Sequence, residues 1–130
     1  MTDEIIGQII GKYEKKEIDN QTGFGNEFFL DLTKDQDNKL RFVFTMNTVG
    51  TFGRMGETWE GRGIFRSDHF ALIIEKQNSW VENSDGQRVN NEVETKETLP
   101  IELYPHFGVV AVFHKKINRI VTLDKTNEED

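Results

Sequence analysis

The densest chemical signal in the sequence is the run Trp59-x-Gly61-x-Gly63-x-Phe65. Alternate residues of an extended chain share a face, so this run sets two glycines between two aromatic rings on one side of a strand. Glycines in that position let a strand bend sharply or let a neighbour approach closely. They also leave space where side chains would stand, and an aromatic-walled space is the usual lining of a small-ligand pocket. Both readings are open on the sequence. On the second, Trp59, Gly61, Gly63 and Phe65 form a wall with Phe28, Phe42, Phe44 and Phe70 of other strands and with Tyr13, and the expected ligand is a small apolar or aromatic molecule. Arg62 and Arg66 point away from that wall and could steer an anionic group only if the strand faced the other way.

Gly50-Thr51-Phe52-Gly53-Arg54-Met55-Gly56 carries a glycine at every third position. It lacks the lysine of a phosphate-cradling loop and fits no dinucleotide fingerprint. Phe52, Arg54 and Met55 set among glycines suit a flexible lid over the mouth of a barrel; a plain hairpin connection is the alternative. His69, His106 and His114 lie far apart and form no short-spaced metal pair, so no metal and no cofactor is expected. Acid–base catalysis needs a carboxylate held in an apolar pocket. Glu60 has the wrong parity beside Trp59, and no serine, threonine or lysine stands in a nucleophile context. The chain reads as a binding protein without catalytic residues.

Residues 107–113 are apolar on both faces, with Phe107, Val109, Ala111 and Phe113 on one and Val110 and Val112 on the other. A strand buried on both sides needs a cover. With Val110 and Val112 outward, joined by Val121, Leu123, Ile64 and Ile73, the cover would be the N-terminal helix or a second copy of the chain. A homodimer or an acidic adaptor is therefore the rival to a ligand-binding function.

The elements that must position these residues are strands. Residues 27–33 and 40–47 alternate cleanly around the polar turn 34–39, which makes a hairpin. Further strand patterns cover 12–18, 58–66, 69–78 continuing past an irregularity near Asn78 and Ser79, 88–96 after the turn Asn83-Ser84-Asp85-Gly86, 99–104, 107–115 and 119–124. Ile5, Ile6, Ile9 and Ile10 fit a short N-terminal helix limited by Gly7 and Gly11. Eight or nine strands joined by short loops, with no crossover helix, predict an all-β antiparallel up-and-down meander. Such a sheet closes into a barrel to remove its edges; a two-sheet sandwich is the competing architecture. The expected domain is 1–124, followed by an acidic disordered tail at 125–130.

The chain has 130 residues, the length of one domain, and a net charge of −7, which opposes binding to nucleic acid or to an anionic membrane. It has no cysteine, no signal-like start and no membrane-length apolar run, so a cytoplasmic protein is expected.

Ile9-Ile10-Gly11-Lys12-Tyr13-Glu14 resembles the entry of the calycins, the lipocalin and fatty-acid-binding barrels, in which a short helical turn runs into a first strand carrying Gly-x-Trp. Tyrosine holds the tryptophan place here. The resemblance implies a closed calycin-like barrel with an apolar interior and names no ligand. Residues 19–27 leave no room for the helical lid of the fatty-acid-binding group, and Arg119-Ile120-Val121 stands where that group has Arg-x-Tyr. Trp59-Glu60-Gly61-Arg62-Gly63 is also similar to the opening motif of the haem-binding nitrobindin barrels, but sits mid-chain, so haem is not carried over.

Overall fold

Four isoleucines at helical spacing open the chain, and α1 (Thr2–Ile9) forms there. Ile6 and Ile9 are buried against the core, with Ile5 and Ile10 packed beside them. The computed structural model describes residues 2–51, 53–66, 68–82, 87–94, 101–106, 109–114 and 119–126. Gly11, at φ +144°, turns the chain from the helix into β1 (Gly11–Ile18). The Tyr13 hydroxyl then reaches back and donates to the Ile9 carbonyl at 2.7 Å, tying helix to strand.

β2 (Gly25–Lys34) and β3 (Leu40–Gly50) form the expected hairpin, with Leu30 opposite Phe44 and Leu32 opposite Phe42. In its turn the Asp35 carboxylate accepts from the amides of Asp37 and Lys39 at 2.8 and 2.9 Å, and Asn38 takes the left-handed conformation. β4 (Gly53–Arg66) and β5 (His69–Glu82) are long and pair along nearly their whole length. β6 (Arg88–Glu94), β7 (Ile101–His106), β8 (Val109–His114) and β9 (Arg119–Lys125) follow.

Every ladder is antiparallel, and β9 pairs with β1 to close the ring β1-β2-β3-β4-β5-β7-β8-β9 as an eight-stranded meander barrel. β6 stands outside that ring. β4 occupies one edge of β5, so β6 and β7 share the other: β7 pairs with Phe70–Leu72 and β6 with Lys76–Glu82. Among the described residues no helix is long and apolar enough to cross a membrane.

A bulge sets the facing of β5. Glu60 pairs with Lys76 but Gly61 pairs with Ile74, which leaves Glu75 as the extra residue. One extra residue reverses the parity of everything beyond it. Before the bulge Phe70, Leu72 and Ile74 face inward; beyond it Gln77, Ser79 and Val81 take that face, opposite Trp59, Glu57 and Met55. The sequence expectation of an irregularity at Asn78–Ser79 is thus displaced to Glu75.

Three further expectations are corrected. Val110 and Val112 lie fully buried inside the barrel, as do Val121 and Leu123, and the outer residues of β8 are Val109, Ala111 and Phe113. A strand apolar on both faces carries no alternation to decide its facing; its neighbours decide, with Leu103 opposite Val112 and Leu123 opposite Val110. The glycine-rich stretch 50–56 is no lid loop. β3 and β4 run on to Gly50 and Gly53, only Thr51 and Phe52 connect them, and Arg54 and Met55 are strand residues; Phe52 lies outside the described residues. Gly53 supplies the positive φ of this tight turn. Finally, β9 extends through Lys125, and the Thr126 amide donates to the Lys12 carbonyl at 2.8 Å, so the ordered domain passes the expected boundary at 124. Residues 127–130, the turn at 83–86 and the side chains of His106, Phe107 and His114 lie outside the described residues.

Candidate functional site

The residues expected to wall a pocket do come together, but in the helix-capped half of the barrel they make a solid core. Phe28, Phe42, Phe44, Trp59 and Phe70 are all at most 1% exposed. The rings of Phe28, Phe44 and Trp59 stack in sequence across three strands, with centroids 6.4 and 5.9 Å apart. Phe65, partly buried, packs on Phe70 at 5.0 Å beneath the helix. Tyr13 is committed to Ile9.

The two glycines are filled positions. A side chain at Gly61 would strike the Ile73 carbonyl, because β4 passes close to β5 at the bulge. At Gly63 the space is taken by the methyl groups of Leu40 and Leu72. At both glycines, neighbouring atoms stand where a side chain would begin. Gly56 serves a third purpose: the Trp80 indole and the Asn47 amide lie over it on the outer surface.

The other end differs in kind. Inward positions there are mostly polar, and half-buried or exposed. Lys15 is opposite Phe28, Met46 is opposite Glu57, and Gln77 is opposite Trp59. Gln77 Nε2 donates to Glu57 Oε2 at 3.3 Å, and Thr48 Oγ1 donates to Asn26 Oδ1 at 3.0 Å. Arg119 grips Glu17 with both terminal nitrogens, at 3.0 and 2.7 Å, and its guanidinium lies 5.5 Å from the centre of the Phe28 ring. The bond to Arg119 holds the Glu17 carboxyl below its usual range and raises Arg119 in return. Fixed polar groups of both charges thus stand beyond the buried rings of Phe28, Phe44 and Trp59.

Sequence reasoning missed Glu17, Glu57, Gln77 and Arg119 as a group. Glu17 shares parity with Tyr13, and Glu57 with Trp59, so both were readable as inward positions. Gln77 was hidden by the bulge. Arg119 meets Glu17 only because the barrel closes, 102 residues apart in the chain.

No family model matches the chain, and it matches no curated protein and no solved structure.

Two other features lie away from this polar end. A cleft of about 340 Å³ opens beside α1, floored by Ile6, Leu40, Gly63 and Phe70, with Lys39 and Arg62 at its lip. On the outer surface His69 bridges Asp68 and Glu102, with Nδ1 2.9 Å from Asp68 Oδ1 and Nε2 3.1 Å from Glu102 Oε2. Tyr104 Oη donates to the same Glu102 at 3.2 Å, and burial, followed by the neighbouring carboxylate, raises the phenol above its usual range. This cluster joins β5 to β7. Among the described residues no group of histidines and carboxylates is arranged to hold a metal ion.

Proposed function

We propose that the chain is a non-enzymatic binding protein that takes a small, largely apolar or aromatic molecule carrying a polar group into the open end of its barrel. The observation that supports this is the contrast in the interior: fully buried apolar side chains up to Trp59, then half-buried Met46, Glu57, Gln77 and Thr48 beyond it. Pockets of this class combine an apolar surface with a few placed polar groups. The ring system of the ligand would lie on half-buried Met46, and its polar group would meet the Gln77–Glu57 pair or the Arg119 guanidinium. Those groups are already held by partners, which lowers the cost of ordering them on binding. The calycin-like entry at Gly11-Lys12-Tyr13 supports the same reading, because Tyr13 fastens the helix over the opposite end.

Native mass spectrometry of freshly purified protein, compared with the denatured chain, tests it. Excess mass released on denaturation is the expected result. Met46→Trp, which fills the open end, should remove that mass while leaving the melting temperature nearly unchanged. A clean mass for the unmodified chain overturns the proposal. So does excess mass that survives in the Met46→Trp variant, which would move the ligand to the cleft beside α1.

A further inference from the structure

β6 pairs with β5 along one edge, and among the described residues nothing pairs with its other edge. A strand edge of seven residues with unpaired backbone groups is a template for another strand. We propose that the occupant is β6 of a second copy, paired antiparallel about a two-fold axis through Asn91.

The sequence of β6, Arg88-Val89-Asn90-Asn91-Glu92-Val93-Glu94, is self-complementary about its centre. The two-fold sets Arg88 opposite Glu94 of the partner subunit and Val89 opposite Val93 of the partner subunit, each pairing occurring twice. Opposite charges and matched apolar residues are the favourable cross-strand combinations. Moving the axis by one residue loses the match: about Asn90 it sets Val89 against asparagine, and about Glu92 against Thr95.

The neighbouring strand strengthens the register. Within one chain Glu82 is opposite Arg88 and Lys76 is opposite Glu94. Across the paired edges a row would therefore read Glu82, Arg88, then the partner's Glu94 and the partner's Lys76, alternating in sign throughout. The adjacent row brings the positions of Val81, Val89 and the partner's Val93 together. Val81 is 47% exposed in the single chain, an apolar side chain on β5 where a continuing sheet would add neighbours. The interface expected from the sequence at Val110 and Val112 is inside the barrel; this edge replaces it, and it is independent of any ligand at the open end.

Sedimentation velocity on the full chain tests the proposal. A species near 30 kDa, twice the 15.1 kDa chain, is expected, and it should weaken as salt screens the charge pairs. Arg88→Glu and Glu94→Arg should each give monomers with an unchanged circular dichroism spectrum. Mixed one to one, the two variants should dimerise again. At one end of the mixed interface the introduced glutamate faces the introduced arginine, and at the other end the native Glu94 faces the native Arg88. A monomer at the highest soluble concentration overturns the proposal. So does a dimer that either variant leaves intact, or a mixture that stays monomeric although both variants are folded.

Discussion

The two ends of this barrel are built from the same strands but by different rules. Toward the helix-capped end the inward side chains of the core, from Trp59 and Phe44 to Leu40 and Leu72, are apolar and out of water. At the open end the inward positions hold carboxylates, amides and a guanidinium, each tied to a neighbour and each partly wet. A β-strand passes between these regimes without leaving its sheet, and in β5 the Glu75 bulge makes the exchange in a single residue. Stability and recognition can thus be separated along the length of a barrel, so substitutions at the two ends should have unequal costs.

The largest difference should come from the aromatic stack. Phe44→Ala should cost about 3–5 kcal/mol by urea denaturation, whereas Gln77→Ala, which removes one half-buried hydrogen bond, should cost only about 0.5–1.5 kcal/mol. Equal costs would mean that the open end is as tightly packed as the capped one.

Next come the glycines. Gly61→Ala meets the rigid Ile73 carbonyl and should cost about 3 kcal/mol, the upper end for an added methyl group. Gly63→Ala meets only the ends of Leu40 and Leu72, which can turn aside, and should cost about 1 kcal/mol. The ratio of the two measures how much backbone, rather than side chain, occupies the space.

Tyr13→Phe removes one buried bond to the helix and should lose about 1 kcal/mol. Amide exchange should rise in α1 before it rises in any strand. If the strands lose protection first, the helix is not the cap it is taken to be.

The smallest effect belongs to the ion pair. Arg119→Ala should cost about 0.2–1 kcal/mol, since both partners are exposed enough for water and salt to screen them. Its pH dependence has a definite sign. The folded-state pKa of Glu17 lies below its unfolded value, so its contribution is present above the unfolded value and is lost as pH falls through the folded one. Glu17→Gln should flatten that part of the acid limb by lowering stability about 0.2–1 kcal/mol at neutral pH while changing it little below the folded value.

Most of the architecture was legible because its strands alternate. Phe28, Leu30 and Leu32 against Leu40, Phe42 and Phe44 fixed one hairpin and its facing from residue type alone. β8 could not be read in this way, since residues apolar on both faces fit either orientation until β7 and β9 are placed. Gln77 and Ser79 were illegible for a different reason: a bulge leaves no mark in composition, and Glu75 looks like any other surface glutamate. The Gly50–Gly56 stretch misled because glycine marks both loops and close strand packing, and only Trp80 on the neighbouring strand tells which applies at Gly56. The role of β6 depended on topology, because nothing in its residues says that β7 takes the ring position beside β5.

The seam that closes the barrel joins its first strand to its last, with Tyr13 and Glu14 paired to Lys125 and Asp124, the Thr126–Lys12 bond on one side of them and the Glu17–Arg119 clasp on the other. During synthesis β1 emerges first and must wait for β9. Until then the growing sheet carries an open edge at β1 and another at its most recent strand, which is the condition under which chains stick to one another. Few lysines are needed to guard an edge that is briefly exposed, but three of the eight residues of β1 are Lys12, Lys15 and Lys16. Lysines along an unpaired edge discourage pairing with another chain until β9 closes the ring.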